Sequence, residues 1–96
     1  MDNQVLKAEC IVRGRVQLVM FRDFVVRRAR ENNIIGRVKN LSDGSVYIVA
    51  EGLPENMSSF LELIQKGPAL SKVESIDIHY STPQGEFNDF KIDYGN

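Results

Sequence analysis

The alternation of apolar and polar residues along the chain predicts a domain that mixes strands with two helices. Apolar residues recur at every second position in the strand segments and at three- and four-residue spacing in the helical ones. The predicted elements are strands around 8–12, 34–41, 45–49 and 73–80, a short last strand within 87–94, and helices over 21–31 and 54–66. This order is typical of the α+β, ferredoxin-like split βαβ fold.

Local signals set the boundaries of these elements. Gly14 should end the first strand, and Asn32-Asn33 should close the first helix because asparagine tolerates left-handed backbone. Gly67-Pro68 should stop the second helix, and Ser42-Asp43-Gly44 should turn a hairpin. Since no linker or repeat divides the chain, we expect one domain over residues 5–94. In it, two helices would cover one face of a mostly antiparallel sheet of four to five strands.

Composition narrows the classes of function. The 96 residues carry a net charge of −1, and no apolar run approaches the roughly 18 residues of a transmembrane helix. Met1–Lys7 lacks the pattern of a signal peptide, and Cys10 is the sole cysteine, so we expect a cytoplasmic protein without a disulfide. Nothing demands more than a monomer, and the net charge favours neither nucleic acid nor membrane.

The charges are distributed unevenly. Residues 1–48 hold nine Lys and Arg against five Asp and Glu, whereas residues 49–96 hold three against eight. This basic half suits a small anionic ligand, although Arg27, Arg28 and Arg30 would also fit a solvated helix face.

The segment Gly14–Arg22 joins the first predicted strand to the first helix. A loop that enters a helix presents unpaired backbone N–H groups, which together with the helix dipole favour a bound anion. Arg22 in the first turn gains nothing from that dipole, so a phosphate held by its guanidinium would explain it. From the residues alone, Arg22 could equally be a surface arginine paired with Asp23 or Glu51. Asn40 could likewise be a plain turn residue.

Two ordered motifs make the chain resemble the acylphosphatase family. The family motif G-x-V-Q-G-V-x-F-R corresponds to Gly14–Arg22, with Leu18 in place of the second glycine, and G-x-V-x-N-x-x-D-G corresponds to Gly36–Gly44. The resemblance covers nearly the whole chain. It implies hydrolysis of small acyl phosphates to a carboxylate and inorganic phosphate, without metal, cofactor or covalent intermediate.

The resemblance also implies roles for individual residues. Arg22 would bind the phosphate oxygens and offset charge in the transition state, and Asn40 would orient the attacking water. The phosphate-binding loop would comprise Arg15, Val16, Gln17, Leu18, Val19, Met20 and Phe21.

Leu18 departs from the family pattern. If its φ is positive, leucine costs roughly 1–2 kcal/mol there, and a misaimed amide can lower catalysis about 10²–10³-fold. We therefore expect weaker activity than in the Leu18→Gly variant. Val19 and Phe21 should be mostly buried, whereas Leu18 and Met20 should be exposed near the ligand.

Other hypotheses stay open at this point. The chain could be an inactive phosphate-binding module of the same fold. It could also be an RNA-binding domain, although Ser45–Val49 offers one aromatic residue and no basic one. A metallochaperone would need paired cysteines, and the single His79 suggests a structural or solvated side chain.

Overall fold

Seven elements are present in the computed structural model, which describes residues 4–95. The strands are β1 (Leu6–Arg15), β2 (Ile35–Asn40), β3 (Val46–Gly52), β4 (Lys72–Ser81) and β5 (Phe90–Ile92), and the helices are α1 (Phe21–Glu31) and α2 (Pro54–Lys66). The sheet has the order β4-β1-β3-β2-β5, antiparallel throughout except for the parallel pair β2 and β5. The predicted ferredoxin-like arrangement is confirmed.

The core lies between the two helices and one face of the sheet. Alternate residues of β1 (Ala8, Cys10 and Val12) are fully buried, and they meet apolar residues of both helices. Each large apolar side chain buried in this way contributes about 1.5–3 kcal/mol. The largest fully buried side chains include Phe21, Phe60, Phe90, Ile34, Ile48, Met57 and Ile64.

Strand β1 continues past the glycine that was expected to end it. The register with β4 shifts between Arg13 and Gly14: Arg13 pairs with Ser75 and Gly14 with Val73, so Glu74 of β4 is left as the bulged residue opposite them. Its φ is +128°, and a Cβ there would lie 2.0 Å from the carbonyl oxygen of Lys72. Only glycine therefore lets β4 pair this closely, which is why the residue continues the strand instead of ending it.

The two strands at the centre and edge of the sheet also differ from expectation. β3 runs on to Gly52 because it pairs with β1 on one side and β2 on the other. β5 is only three residues long, and Phe87 lies before it, with its ring centroid 5.2 Å from the guanidinium of Arg37.

The topology brings several chain segments to one edge of the sheet. β1, β2 and β5 run in the same direction, because β1 and β2 are both antiparallel to β3 and β5 is parallel to β2. Their carboxyl ends and the N-terminus of α1 therefore meet. Neither helix within residues 4–95 is long and apolar enough to cross a bilayer.

Candidate functional site

A pocket of about 440 Å³ opens at this edge of the sheet. It lies between the loop that follows β1, the first turn of α1, the end of β2 and the segment that follows β5. Its lining residues are Val16, Leu18, Met20, Phe21, Arg22, Asp23, Asn40, Ile92 and Tyr94.

The loop of residues 16–20 contains two residues with left-handed backbone and leaves several of its N–H groups without backbone partners within residues 4–95. Leu18 and Met20 have left-handed backbones, with φ of 62° and 61°, and Met20 is the N-cap of α1. No N–H group of residues 17–20 donates to a backbone carbonyl in the part of the chain that the structure describes. These amides and the first turn of α1 are therefore free to bind an anion. Leu18 has the positive φ that a glycine in the family motif implies.

Arg22 lies in the first turn of α1 and is half-buried. Its guanidinium carbon is 5.3 Å from the ring centroid of Tyr94, a cation–π contact. None of the ion pairs formed within residues 4–95 includes Arg22, and Asp23 pairs with Arg27 at 2.7 Å instead. The arginine thus keeps its donors available beside the pocket.

Asn40 is the last residue of β2 and faces the same pocket. Its Oδ1 atom is buried and has no hydrogen-bond donor among the described residues. A buried acceptor without a partner is unfavourable, so the position suits a donor that arrives with a ligand or as water.

The side chain of Gln17 points away from the pocket. Its Nε2 donates to the carbonyl oxygens of Leu41 and Ser45, both at 2.8 Å, and so ties the loop to the hairpin that carries Asn40. In that hairpin, the hydroxyl and backbone N–H of Ser45 both donate to Asp43 and lower the pKa of its carboxyl. The side chain of Gln17 thus orders the loop, and the part of Gln17 that remains for a phosphate is its backbone N–H.

The remaining predicted loop residues occupy different environments. Arg15 ends β1 and pairs with Lys72, so it lies outside the loop. Val16 and Phe21 are buried and line the pocket, whereas Val19 is half-buried against the core. Leu18 and Met20 are 98% and 72% exposed, as expected.

Sequence reasoning did not assign Ile92 and Tyr94 to the site. Their alternation indicated only a terminal strand, and the parallel pairing of β5 with β2 brings them to the pocket. No group of three or more His, Cys, Asp or Glu within residues 4–95 could hold a metal ion. Cys10 is buried in the core, and burial raises the pKa of its thiol to about 12.

The open face of the sheet carries the aromatic residue considered for RNA binding. The hydroxyl of Tyr47 donates to Glu9 at 2.6 Å, and its ring lies among Glu9, Asp77 and the exposed His79. Burial and the Glu9 carboxylate raise the pKa of Tyr47 above its ordinary value. Two carboxylates beside one aromatic ring make this face a poor surface for a polyanion.

Comparison with known proteins gives the same family from sequence and from structure. The family model described as acylphosphatase matches residues 8–92. An acylphosphatase of Bacillus licheniformis is 42% identical over 90 residues, which cover 94% of this chain and 100% of that protein. An acylphosphatase of Salinibacter ruber is 41% identical over 81 residues, which cover 84% of this chain and 85% of that protein. The crystal structure of acylphosphatase from Bacillus subtilis superposes with a TM-score of 0.90 at 40% identity, covering 93% of this chain and 99% of that one.

Proposed function

The chain belongs to the acylphosphatase family and is an enzyme that hydrolyses acyl phosphates, and we propose that it does so in the pocket beside Arg22. The substrate would be a small acyl phosphate, and the products a carboxylate and inorganic phosphate. The roles of individual residues follow from the geometry of that pocket.

The placement of the reaction in this pocket rests on one observation: two kinds of hydrogen-bond donor and one acceptor lie side by side there. The loop amides without backbone partners, the guanidinium of Arg22 and the orphaned Oδ1 of Asn40 all border one pocket. A phosphate dianion needs N–H donors and a positive charge, and an attacking water needs an acceptor that orients it.

The proposed reaction is a direct displacement at phosphorus. Loop amides and Arg22 hold the phosphoryl oxygens and stabilise the charge that develops on them. A water that donates to Asn40 Oδ1 is aligned for attack on phosphorus, opposite the acyl oxygen. The new P–O bond forms as the bond to the acyl oxygen breaks, and the carboxylate leaves with the electron pair. Because a carboxylate is a good leaving group, the reaction requires no strong general acid.

Leu18 is proposed to lower the rate relative to a glycine at the same position. The left-handed backbone keeps the loop in the shape that glycine would give, so the side chain at the pocket mouth is the remaining difference. We expect Leu18→Gly to hydrolyse acetyl phosphate faster than the wild type. A second candidate function, a phosphate-binding module without activity, would show phosphate binding and no turnover in either protein.

The proposal also includes the oligomeric state, location and partners of the enzyme. We propose a monomer that acts in the cytoplasm on a small-molecule acyl phosphate, without nucleic acid or membrane as partner. The acidic surroundings of Tyr47 support the exclusion of nucleic acid.

Arg22→Gln, with Arg27→Gln as the matched control on the exposed side of α1, tests the assignment. Arg22→Gln should lower kcat/KM for benzoyl phosphate by about 10³-fold or more, because an arginine on a transferred phosphoryl group has effects of that size. Inorganic phosphate should raise the Tm of the wild type and of Arg27→Gln by mass action. Full activity of Arg22→Gln would contradict the assignment.

A further inference from the structure

Three exposed side chains form an apolar rim around the pocket: Leu18, Met20 and Tyr94. They are 98%, 72% and 76% exposed, and all three line the pocket that holds Arg22 and Asn40. A phosphate group is stabilised by charged and N–H partners, and the alkyl group of Leu18 and the thioether of Met20 cannot provide such contacts. The rim therefore faces whatever part of the ligand extends beyond the phosphate.

The rim does not serve the folding of the domain. Leu18 and Met20 lie outside the hydrophobic core, whereas their neighbours Val16, Val19 and Phe21 bury their side chains in or against it. Single exposed apolar residues are normal on protein surfaces, but several that surround one pocket indicate a binding surface.

The backbone conformation of Leu18 and Met20 is a further reason to assign a function to their side chains. Leu18 and Met20 both have φ near +60°, a conformation that glycine and asparagine adopt with much less steric cost. The loop thus holds two long apolar side chains where its own conformation favours small or polar residues. Such strain, at a pocket, points to a function of the side chains themselves.

We infer that the apolar rim binds the acyl group, so that the enzyme prefers acyl phosphates with aromatic or other apolar acyl groups over acetyl phosphate. This inference rests on the proposed function, since it assigns the part of the substrate that leaves as carboxylate. The ring of Tyr94 packs over Arg22 on one side of the pocket, and Leu18 and Met20 border the mouth. An acyl chain that extends from a phosphate on Arg22 would lose water-exposed apolar area against these residues.

The first test compares substrate selectivity, measured as kcat/KM for benzoyl phosphate divided by kcat/KM for acetyl phosphate. The double variant Leu18→Asn with Met20→Asn removes two of the three apolar side chains of the rim and keeps residues that tolerate left-handed backbone. We expect this ratio to fall by about tenfold or more, as the loss of apolar contacts in a binding pocket gives. The matched control is Val5→Asn, because Val5 is an exposed apolar residue before β1, at the end of that strand opposite the pocket. Its ratio should equal that of the wild type.

A second test measures binding without turnover, using benzylphosphonate and methylphosphonate in calorimetry. The wild type should bind benzylphosphonate more tightly than methylphosphonate, and the double variant should lose most of this preference, because only Tyr94 of the rim remains. A selectivity ratio that is the same in wild type and double variant would overturn the role of the rim, while the enzyme remained an acylphosphatase. Preferential binding of benzylphosphonate without hydrolysis of either substrate would support the rim and contradict hydrolysis. Failure to bind either phosphonate would overturn both.

Discussion

The side-chain amide of Gln17 donates to the backbone carbonyl of Ser45 at 2.8 Å and joins the two halves of the site. Gln17 belongs to the loop that precedes α1. Ser45 is the last residue of the turn that follows Asn40 and connects β2 to β3. A second bond of the same length, to the carbonyl of Leu41, makes this connection bidentate. The side chain of Gln17 therefore holds the loop and the end of β2 in a fixed relative position.

Gln17→Leu removes both bonds while nearly conserving side-chain volume. We expect it to lower the free energy of unfolding by about 1–3 kcal/mol, the usual cost of losing buried hydrogen bonds. The loop would also move relative to Asn40, so kcat/KM for benzoyl phosphate should fall by about 10- to 100-fold, because a small misplacement has such effects. Urea unfolding and steady-state kinetics measure the two changes.

The control for this variant is Gln65→Leu, on the exposed surface of α2. It should change neither stability nor activity appreciably. Unchanged kinetics in Gln17→Leu would show that the loop keeps its position without the side chain.

Asn40→Ala should separate catalysis from binding. Because we propose that Oδ1 of Asn40 orients the attacking water, its loss should lower kcat by about 10²–10³-fold. Inorganic phosphate should still raise the Tm, because the loop amides and Arg22 are unchanged. The matched control is Asn56→Ala on α2, outside the pocket. If Asn40→Ala loses the protection by phosphate as well, Asn40 binds the phosphate group and does not orient the water.

The sequence predicted correctly those features that depend on residues close together in the chain. The start of α1 at Phe21 and its end before Asn33 followed from helical periodicity and from the left-handed conformation that asparagine accepts, and Asn33 indeed has φ of 57°. The exposure of Leu18 and Met20 was predicted because Val19 and Phe21 of the same apolar run were assigned to the core, which left Leu18 and Met20 near the ligand. These features depend on neighbours within a few positions along the chain.

Contacts between distant segments account for what the sequence did not reveal. Gly14 was taken as a strand end because nothing nearby shows that β4 passes 2.0 Å from the position of its missing Cβ. The side-chain bonds of Gln17 could not be predicted because its partners lie 24 and 28 residues further along the chain. Tyr94 was not assigned to the site because only the pairing of β5 with β2 brings it to Arg22.

Gly36 should be intolerant of any side chain. Its φ is +146°, and a Cβ would lie 1.9 Å from the carbonyl oxygen of Val49 in the central strand. We expect Gly36→Ala to lower the free energy of unfolding by more than about 3 kcal/mol, because overpacking adds to backbone strain. Gly85→Ala is the control, since that glycine also has a positive φ but has open space around it. Equal losses in the two variants, measured by urea unfolding, would assign the whole effect to the backbone.

Glu51 should make stability fall as pH rises above the mildly acidic range. Its side chain is 3% exposed, its Oε2 atom has no partner among the described residues, and burial raises the pKa of its carboxyl above the ordinary 4.5 in spite of the nearby Lys7. Between 4.5 and the higher folded pKa, the native state binds more protons than the unfolded state, so stability decreases as pH rises through that window. At neutral pH the ionised carboxylate is therefore a cost.

Glu51→Gln should accordingly raise the Tm at pH 7, and the difference from wild type should shrink as the pH falls toward 4.5. The matched control is Glu62→Gln on the exposed face of α2, where no such difference is expected. Thermal unfolding followed by circular dichroism at several pH values between these limits measures the effect. A lower Tm for Glu51→Gln at pH 7 would mean that the carboxylate gains more from Lys7 than it loses on leaving water, which would contradict the direction of the shift.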